Sequence, residues 1–496
     1  MTQNTTVHDL VVVGGGINGV GIAADAAGRG LNVLLCESHD LASATSSAST
    51  KLIHGGLRYL EQYEFSLVRK ALAEREVLLR NAPHIIHPMR FILPHRPHLR
   101  PRWMIRAGLF LYDFLSHRVS LPASRSVRFA ADSPLLASLH DGFEYSDAWV
   151  DDARLVLLVA KQAQEHGATI RLHRQCTQAY AENGVWQVTL RDPESGVSEQ
   201  VRSRVLINAT GPWVELFANT VLPKNTHQHI RLVKGCHIVV PRMFDSPEAY
   251  LLQNDDGRVV FVIPYEQDYT MIGTTEEDLT GDPATAKISS WEIDYLVRVT
   301  NECFKTKIDK SQVLHVFAGV RPLIAQENVK ASEVSRDYTI TLDTRTAPLM
   351  TIYGGKITTY RHLAEDALHG LRGLFPQLGP DWTAAASLPG GDFATREQLN
   401  RDLAAAYSWL DAAVRERWVR SYGTLSYKII DGCQAMAELG QLFGHGLYAR
   451  EVDYMCEQEW ASCVDDILWR RSKLGLRFSE LECAALRAYL AQKFTL

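Results

Sequence analysis

Residues 8–38 read HDLVVVGGGINGVGIAADAAGRGLNVLLCES. Leu10 to Val13 form a short apolar run, as expected of a strand buried in a parallel sheet. Glycines follow at Gly14, Gly16 and Gly19, which is the GxGxxG spacing. Gly14 permits a tight turn, Gly16 lets the backbone approach a pyrophosphate, and Gly19 lets the next helix pack on the strand. The helix is predicted through IAADAAGRG, and its N-terminus favours a diphosphate. A second strand, LNVLLCE, ends in Glu37, 21 residues beyond Gly16, where a carboxylate can accept two ribose hydroxyls. Glycines alone are weak evidence. Strand, glycines, helix, second strand and terminal acid together predict a dinucleotide-binding α/β domain. The pattern does not separate NAD from FAD, but Glu37 opposes the 2′-phosphate of NADP.

Three further segments extend this reading. In DLASATSSASTKLIHGGLRYLE, the small polar Thr45, Ser46 and Ser47 let a loop lie along an extended ligand; the same composition suits a solvated loop with ST-turns. Gly55 and Gly56 then let backbone come close to something else, with Arg58 and Tyr59 just beyond. In RSRVLINATGPWVE, a strand over 205–208 runs into Ala209, Thr210 and Gly211, small residues suited to the carboxyl edge of the sheet. In APLMTIYGGKITTYRHLAEDAL, a strand over 349–353 meets a turn at Gly354 and Gly355, and a helix starts from Thr358 with Lys356 beside it. That end suits anionic oxygens or an electron-rich ring. Segments so far apart imply a discontinuous cofactor domain with insertions.

Composition sets the bounds. The chain of 496 residues is 46% hydrophobic and 22% charged, an ordinary globular profile with room for several domains. A net charge of −5 gives no reason to expect nucleic acid. The eight cysteines are scattered without a CxxC pair, which speaks against a zinc or disulfide framework and for a reducing cytosol. No metal-ligand spacing and no GxSxG occur, the first residues lack a signal-peptide pattern, and no run of eighteen apolar residues exists.

The sequence closely resembles the bacterial aerobic FAD-dependent glycerol-3-phosphate dehydrogenases. Two signature stretches carry the resemblance, VGGGINGVGIAADAAGRG at 13–30 and GGKITTYRHLA at 354–364. LIHGGLRYLE, LPHRPHLRP, FEYSDAWVDDARL, NATGPWV, RLVKGCHIVVPR, IGTTEEDLTGDP and GVRPL lie between them, and DDILWRRSKLG follows. The likeness spans residue 8 to about 490. It implies a fold related to glycine oxidase and D-amino-acid oxidase: an α/β Rossmann-like FAD-binding domain, an antiparallel-sheet substrate domain and an all-α C-terminal domain. It further implies oxidation of sn-glycerol 3-phosphate to dihydroxyacetone phosphate by hydride transfer to flavin N5, with electrons passed to a membrane quinone. Expected borders are 1–90, 145–215 and 345–388 for the FAD domain, 91–144 and 216–344 for the substrate domain, and 389–496 for the helical domain. No cysteine or histidine has an evident covalent-flavin setting, so FAD is expected to be noncovalent. A homodimer is expected, and the helical domain suits dimer contact or partner docking alike.

The chemistry of that substrate agrees with the residues. A phosphate dianion needs fixed cations, for which arginine's planar fork is suited. Arg58, Arg321, Arg336 and Lys356 are the candidates, each in a family-like motif, with Tyr59 beside them. Removing hydride from C2 leaves a hydroxyl proton for a base, and a histidine suits that task. His54 and His237 are both candidates, with His54 favoured slightly; an arginine such as Arg321 lowering the hydroxyl pKa is the alternative. Lys356 would oppose negative charge at the ring, and Thr274 and Thr275 would add hydrogen bonds. The competing classes are an oxidase using oxygen, an amine oxidase, which would need a carboxylate clamp and no phosphate site, and a noncatalytic flavin sensor.

Segment 93–118, LPHRPHLRPRWMIRAGLFLYDFLSHR, is basic and then apolar, with Trp103, Ala107, Phe110 and Phe114 on one helical face. It suits a membrane interface with Arg96, Arg100, Arg102 and Arg106 facing anionic lipid, and equally a helix packed on its own core. The expectation is peripheral attachment to the cytoplasmic face of the cell membrane. Beyond Pro389, the stretches 396–414, 435–444, 450–461 and 479–494 read as packed helices.

Overall fold

The computed structural model describes residues 3–116, 119–222, 228–325 and 336–495. The last two residues of segment 93–118 lie outside them. The first of two large sheets orders its strands Thr339–Asp343, Leu349–Tyr353, Ser198–Asn208, Gln3–Val13, Val33–Cys36 and Thr169–Arg171. From Leu349–Tyr353 onward, neighbours are parallel. Val13 stands opposite both Asn208 and Cys36, so the strands end level. This brings Gly14, Glu37 and Ala209–Thr210 to one carboxyl edge, where open α/β sheets bind ligands.

The apolar run 10–13 is continuous because both faces of its strand are covered. Leu10 and Val12 pack under helices α1 (Ile17–Gly28) and α4 (Asp152–Glu165), while Val11 and Val13 join Trp186 and Phe217 on the other face. Asp151 starts α4 as its cap, accepting from the Arg154 amide at 3.1 Å.

The second sheet has ten strands and is antiparallel apart from one parallel pair, Ile86–Pro94 with Ala249–Gln253. Its strand Ile230–Pro241 pairs with Tyr269–Gly273 and with His315–Ile324. Leu52–Ile53 and Ile86–Pro94 both belong to this sheet, so the chain enters it before the border expected at residue 90. Helices α2 (Phe65–Asn81) and α3 (Arg102–Phe114) supply Val68, Leu72, Ile105 and Leu109 to its core.

The C-terminal region is helical, with two departures from expectation. The stretch 396–414 is not one helix: Arg396–Ala406 ends, and Asp411 caps a new helix, Ala412–Tyr422. The stretch 435–444 is a 3₁₀ turn leading into a short hairpin, Leu442–Gly444 with Leu447–Tyr448. The region is docked by buried charge. Arg154 on α4 binds Glu459 at 2.6 Å, and Arg471 holds Asp40, with Nη2 at 2.8 Å from Oδ1. Trp469 stacks on His315 with ring centres 4.1 Å apart.

Candidate active site

The nucleotide end is made of close backbone. Gly14 has φ +116°, and a Cβ there would lie 2.5 Å from the Ala209 carbonyl oxygen. A Cβ on Gly19 would lie 1.9 Å from the Gly14 carbonyl oxygen, so α1 can approach the strand only through glycine. The first free amide of α1, Ile17 N, donates to Ser46 Oγ at 3.0 Å. Glu37 accepts from the Gly15 amide at 2.7 Å, the His39 amide at 2.9 Å and Ser38 Oγ at 3.0 Å, which fixes the carboxylate while leaving lone pairs for hydroxyl donors. Thr45 Oγ1 donates to the Val320 carbonyl at 2.7 Å and so ties this loop to the second sheet. Asn18 Nδ2 donates to the Gly354 carbonyl at 3.0 Å, joining two motifs that are 336 residues apart.

A cavity of about 630 Å³ runs from this turn to the second sheet, a size typical of ligand sites. Gly14, Gly16, Glu37, Thr45, Ser46, Gly56, Thr210, Gly211, Gly354, Gly355 and Thr358 line it, as do His54, Arg58, Tyr59, Arg321, Arg336 and Lys356. Gly19, Ser47, Gly55 and His237 are not on its wall. Gly19 serves helix packing instead, and Ser47 Oγ turns back to the Ala44 carbonyl at 3.3 Å. Gly55 faces Leu72 and Tyr112. His237 bonds Thr50 Oγ1 at 3.0 Å and stacks on Phe317 with ring centres 4.8 Å apart. Of the two threonines, Thr274 lines the cavity, whereas Thr275 is turned to Glu292 at 2.8 Å.

The far end of the cavity concentrates positive charge. Lys356 Nζ stands 3.7 Å from the centre of the Tyr59 ring and, though buried, has no hydrogen-bond partner among the described residues. Arg321 donates weakly to Thr274 Oγ1 at 3.3 Å, and its Nη1 is buried without a partner among the described residues. Arg336 reaches Glu276 at 2.8 Å, with Arg58 on the other carboxylate oxygen at 3.6 Å. Burial, with Arg336 nearby, lowers the Arg321 pKa, and burial likewise lowers that of Lys356. Burial alone would raise the Tyr59 pKa, but Lys356, Arg336 and Arg321 together pull it down. His54 is pushed to about 3 by burial, then by Lys356 and Arg321, so the ring is neutral. Buried cations without partners fit an anion, and the glycine turn with Glu37 fits a dinucleotide.

On the outer surface, α3 exposes Trp103 (70%), Phe114 (67%), Met104, Phe110 and Leu111, while Ile105, Leu109 and Tyr112 point inward. The arginines expected to face lipid are turned to protein groups. Arg100 binds Glu61 at 2.7 Å, Arg102 pairs with Asp141, Arg106 binds Ser124 Oγ at 2.9 Å and Arg96 reaches Cys303 at 2.9 Å. The exposed apolar side chains thus share the surface with Arg102 and Arg106, which are also exposed. Among the described residues, no helix is long and apolar enough to cross a membrane.

Two site residues escaped the sequence reading. Glu276 follows the two threonines of IGTTEED, and the acid itself was the signal, since paired arginines call for a counterion. Asn18 lies inside the glycine motif, where no spacing rule marks it.

The model of the family described as FAD dependent oxidoreductase matches residues 9–361, and that of the C-terminal domain of alpha-glycerophosphate oxidase matches 382–491. A glycerol-3-phosphate dehydrogenase of Pseudomonas aeruginosa is 55% identical over 98% of this chain and 95% of its own length. A D-erythritol 1-phosphate dehydrogenase of Brucella abortus is 48% identical over 96% of each chain. Among solved structures, the glycerol-3-phosphate dehydrogenase of Bacillus halodurans complexed with FAD superposes with a TM-score of 0.78 at 26% identity, over 99% of this chain and 92% of that one.

Proposed function

The chain belongs to the family of FAD-dependent oxidoreductases, and from that premise we propose that it oxidises sn-glycerol 3-phosphate to dihydroxyacetone phosphate. One observation carries the reading: Arg58, Arg321, Arg336 and Lys356 converge on the far end of a cavity that begins at the dinucleotide turn. FAD supplies the hydride acceptor. The Gly14–Asn18 turn and Glu37 hold its pyrophosphate and ribose, with the loop at Thr45 and Ser46, Thr210, and the Gly354–Thr358 turn around the rest. The cations take the phosphate dianion, and Lys356 opposes negative charge at the reacting end. His54 is neutral and so free to accept the C2 hydroxyl proton as hydride leaves C2. An entering phosphate offsets the two cations that depress its pKa, which makes it a better base. His237, away from the cavity wall, acts in our reading only through Thr50.

The Brucella relative favours a second reading, a four-carbon polyol phosphate on the same cations. Anaerobic titration with the two phosphates separates them: the true substrate bleaches the flavin at the lower concentration. We read the electron acceptor as a membrane quinone. Peroxide formed one-for-one with substrate would instead make this an oxidase. The exposed face of α3 supports peripheral attachment to the inner face of the cell membrane through apolar contact, which co-sedimentation with vesicles tests. A homodimer is the reading to check by light scattering.

A further inference from the structure

Beneath the turn that carries His54 and Arg58 lies a buried chain of hydrogen bonds. The Gly55 amide donates to Tyr112 Oη at 2.8 Å. That phenol donates to Asp147, with both carboxylate oxygens at 2.8 Å. Arg75 Nη1 donates to Asp147 Oδ1 at 2.7 Å and to the Ser146 carbonyl at 2.9 Å. Tyr112 comes from α3, Arg75 from α2 and Asp147 from strand Asp141–Val150. All three are buried, at 3%, 2% and 2% exposure. A Cβ on Gly55 would lie 2.8 Å from the phenol oxygen, so the glycine lets the hydroxyl reach the amide. On its other side the turn is held by Thr358 Oγ1, which accepts from the His54 amide at 3.3 Å. Just beyond, the Tyr59 ring folds against Gly56.

We propose that Arg75, Asp147 and Tyr112 are the positioning unit of this turn, setting the places of His54 and Arg58 without touching substrate. A buried ion pair is a weak source of stability, but it fixes direction well. Here the guanidinium keeps the carboxylate charged against burial, which pushes Asp147 up to about 6. The charged acceptor orients the phenol hydrogen, and the phenol oxygen is then left to the Gly55 amide. Misplacing a reacting group by about 1 Å can cost on the order of 10²-fold in rate. The inference rests on reading the cationic cavity as the polyol-phosphate site.

The test uses FAD-loaded protein and an artificial electron acceptor. Tyr112→Phe and Asp147→Asn should each lower kcat/KM for sn-glycerol 3-phosphate at least tenfold. They should also weaken inhibition by inorganic phosphate severalfold, because Arg58 moves with the turn. The double variant should be no worse than the worse single one, the mark of a shared unit. Leu296→Ala, in a separate core, should lower Tm at least as much while keeping kcat/KM within twofold. Should Tyr112→Phe fail to fold, Asp147→Asn carries the test. Singles within twofold of the parent, fully additive losses, or a Leu296→Ala loss in step with Tm would overturn the proposal. A parent that sn-glycerol 3-phosphate does not bleach defeats the substrate reading instead, before any variant is compared.

Discussion

At the nucleotide end of the cavity, Gly14 and Gly19 let a carbonyl or a helix approach where a Cβ would collide, while Glu37 and the Ile17 amide have protein partners. At the substrate end, Lys356 Nζ and Arg321 Nη1 are buried donors that no group among the described residues accepts. The first region is shaped by missing side chains and the second by unspent charge. Steric sites fail sharply, because the collision is with backbone, whereas electrostatic sites lose function by degrees.

The largest effect should come from the steric end. Gly19→Ala places a Cβ 1.9 Å from the Gly14 oxygen, and the purified variant should carry no FAD by absorbance. Retention of full FAD would break the comparison. Arg321→Ala should keep its FAD and lose about 3–4 kcal/mol of substrate and transition-state binding, roughly 10²- to 10³-fold in kcat/KM by steady-state kinetics.

A smaller effect is on stability against acid. Burial holds His54 and His87 at about 3, below the ordinary histidine value. With the folded pKa depressed, each contribution is present above about pH 6.5 and is lost as pH falls toward 3. On account of this pair the unfolded chain takes up two protons that the folded chain refuses, worth together about 3 kcal/mol per pH unit between about pH 6 and 4, and the buried His84, His237 and His315 act in the same direction. Tm measured against pH should fall accordingly, and His54→Asn should roughly halve the part due to this pair. Smallest for the chemistry, Trp103→Ser with Phe110→Ser should abolish vesicle co-sedimentation while leaving kcat/KM with a soluble acceptor within twofold.

The nucleotide end was legible because its signal is local: strand, glycines, helix and Glu37 fall within one short stretch. The cations were legible through their motifs. Which histidine meets the cavity was not, because that depends on how strands from distant segments pair. His237 stands opposite Gly273 on one side and Phe317 on the other, and its ring fills the space beside that glycine. The partners of the arginines around α3 were not legible, because sequence displays charge and hides what it pairs with. Asp141 and Glu61 absorb Arg102 and Arg100 from far along the chain. The link from Tyr112 to Gly55 spans 57 residues with no spacing rule to reveal it.

The most direct measurement is the visible flavin spectrum of the purified protein under anaerobic conditions, before and after sn-glycerol 3-phosphate is added. The account predicts a bound-flavin spectrum that bleaches on addition in the parent and bleaches only at far higher concentration in Arg321→Ala. A flavin that stays oxidised in the parent would contradict the reading of the cations as a substrate site.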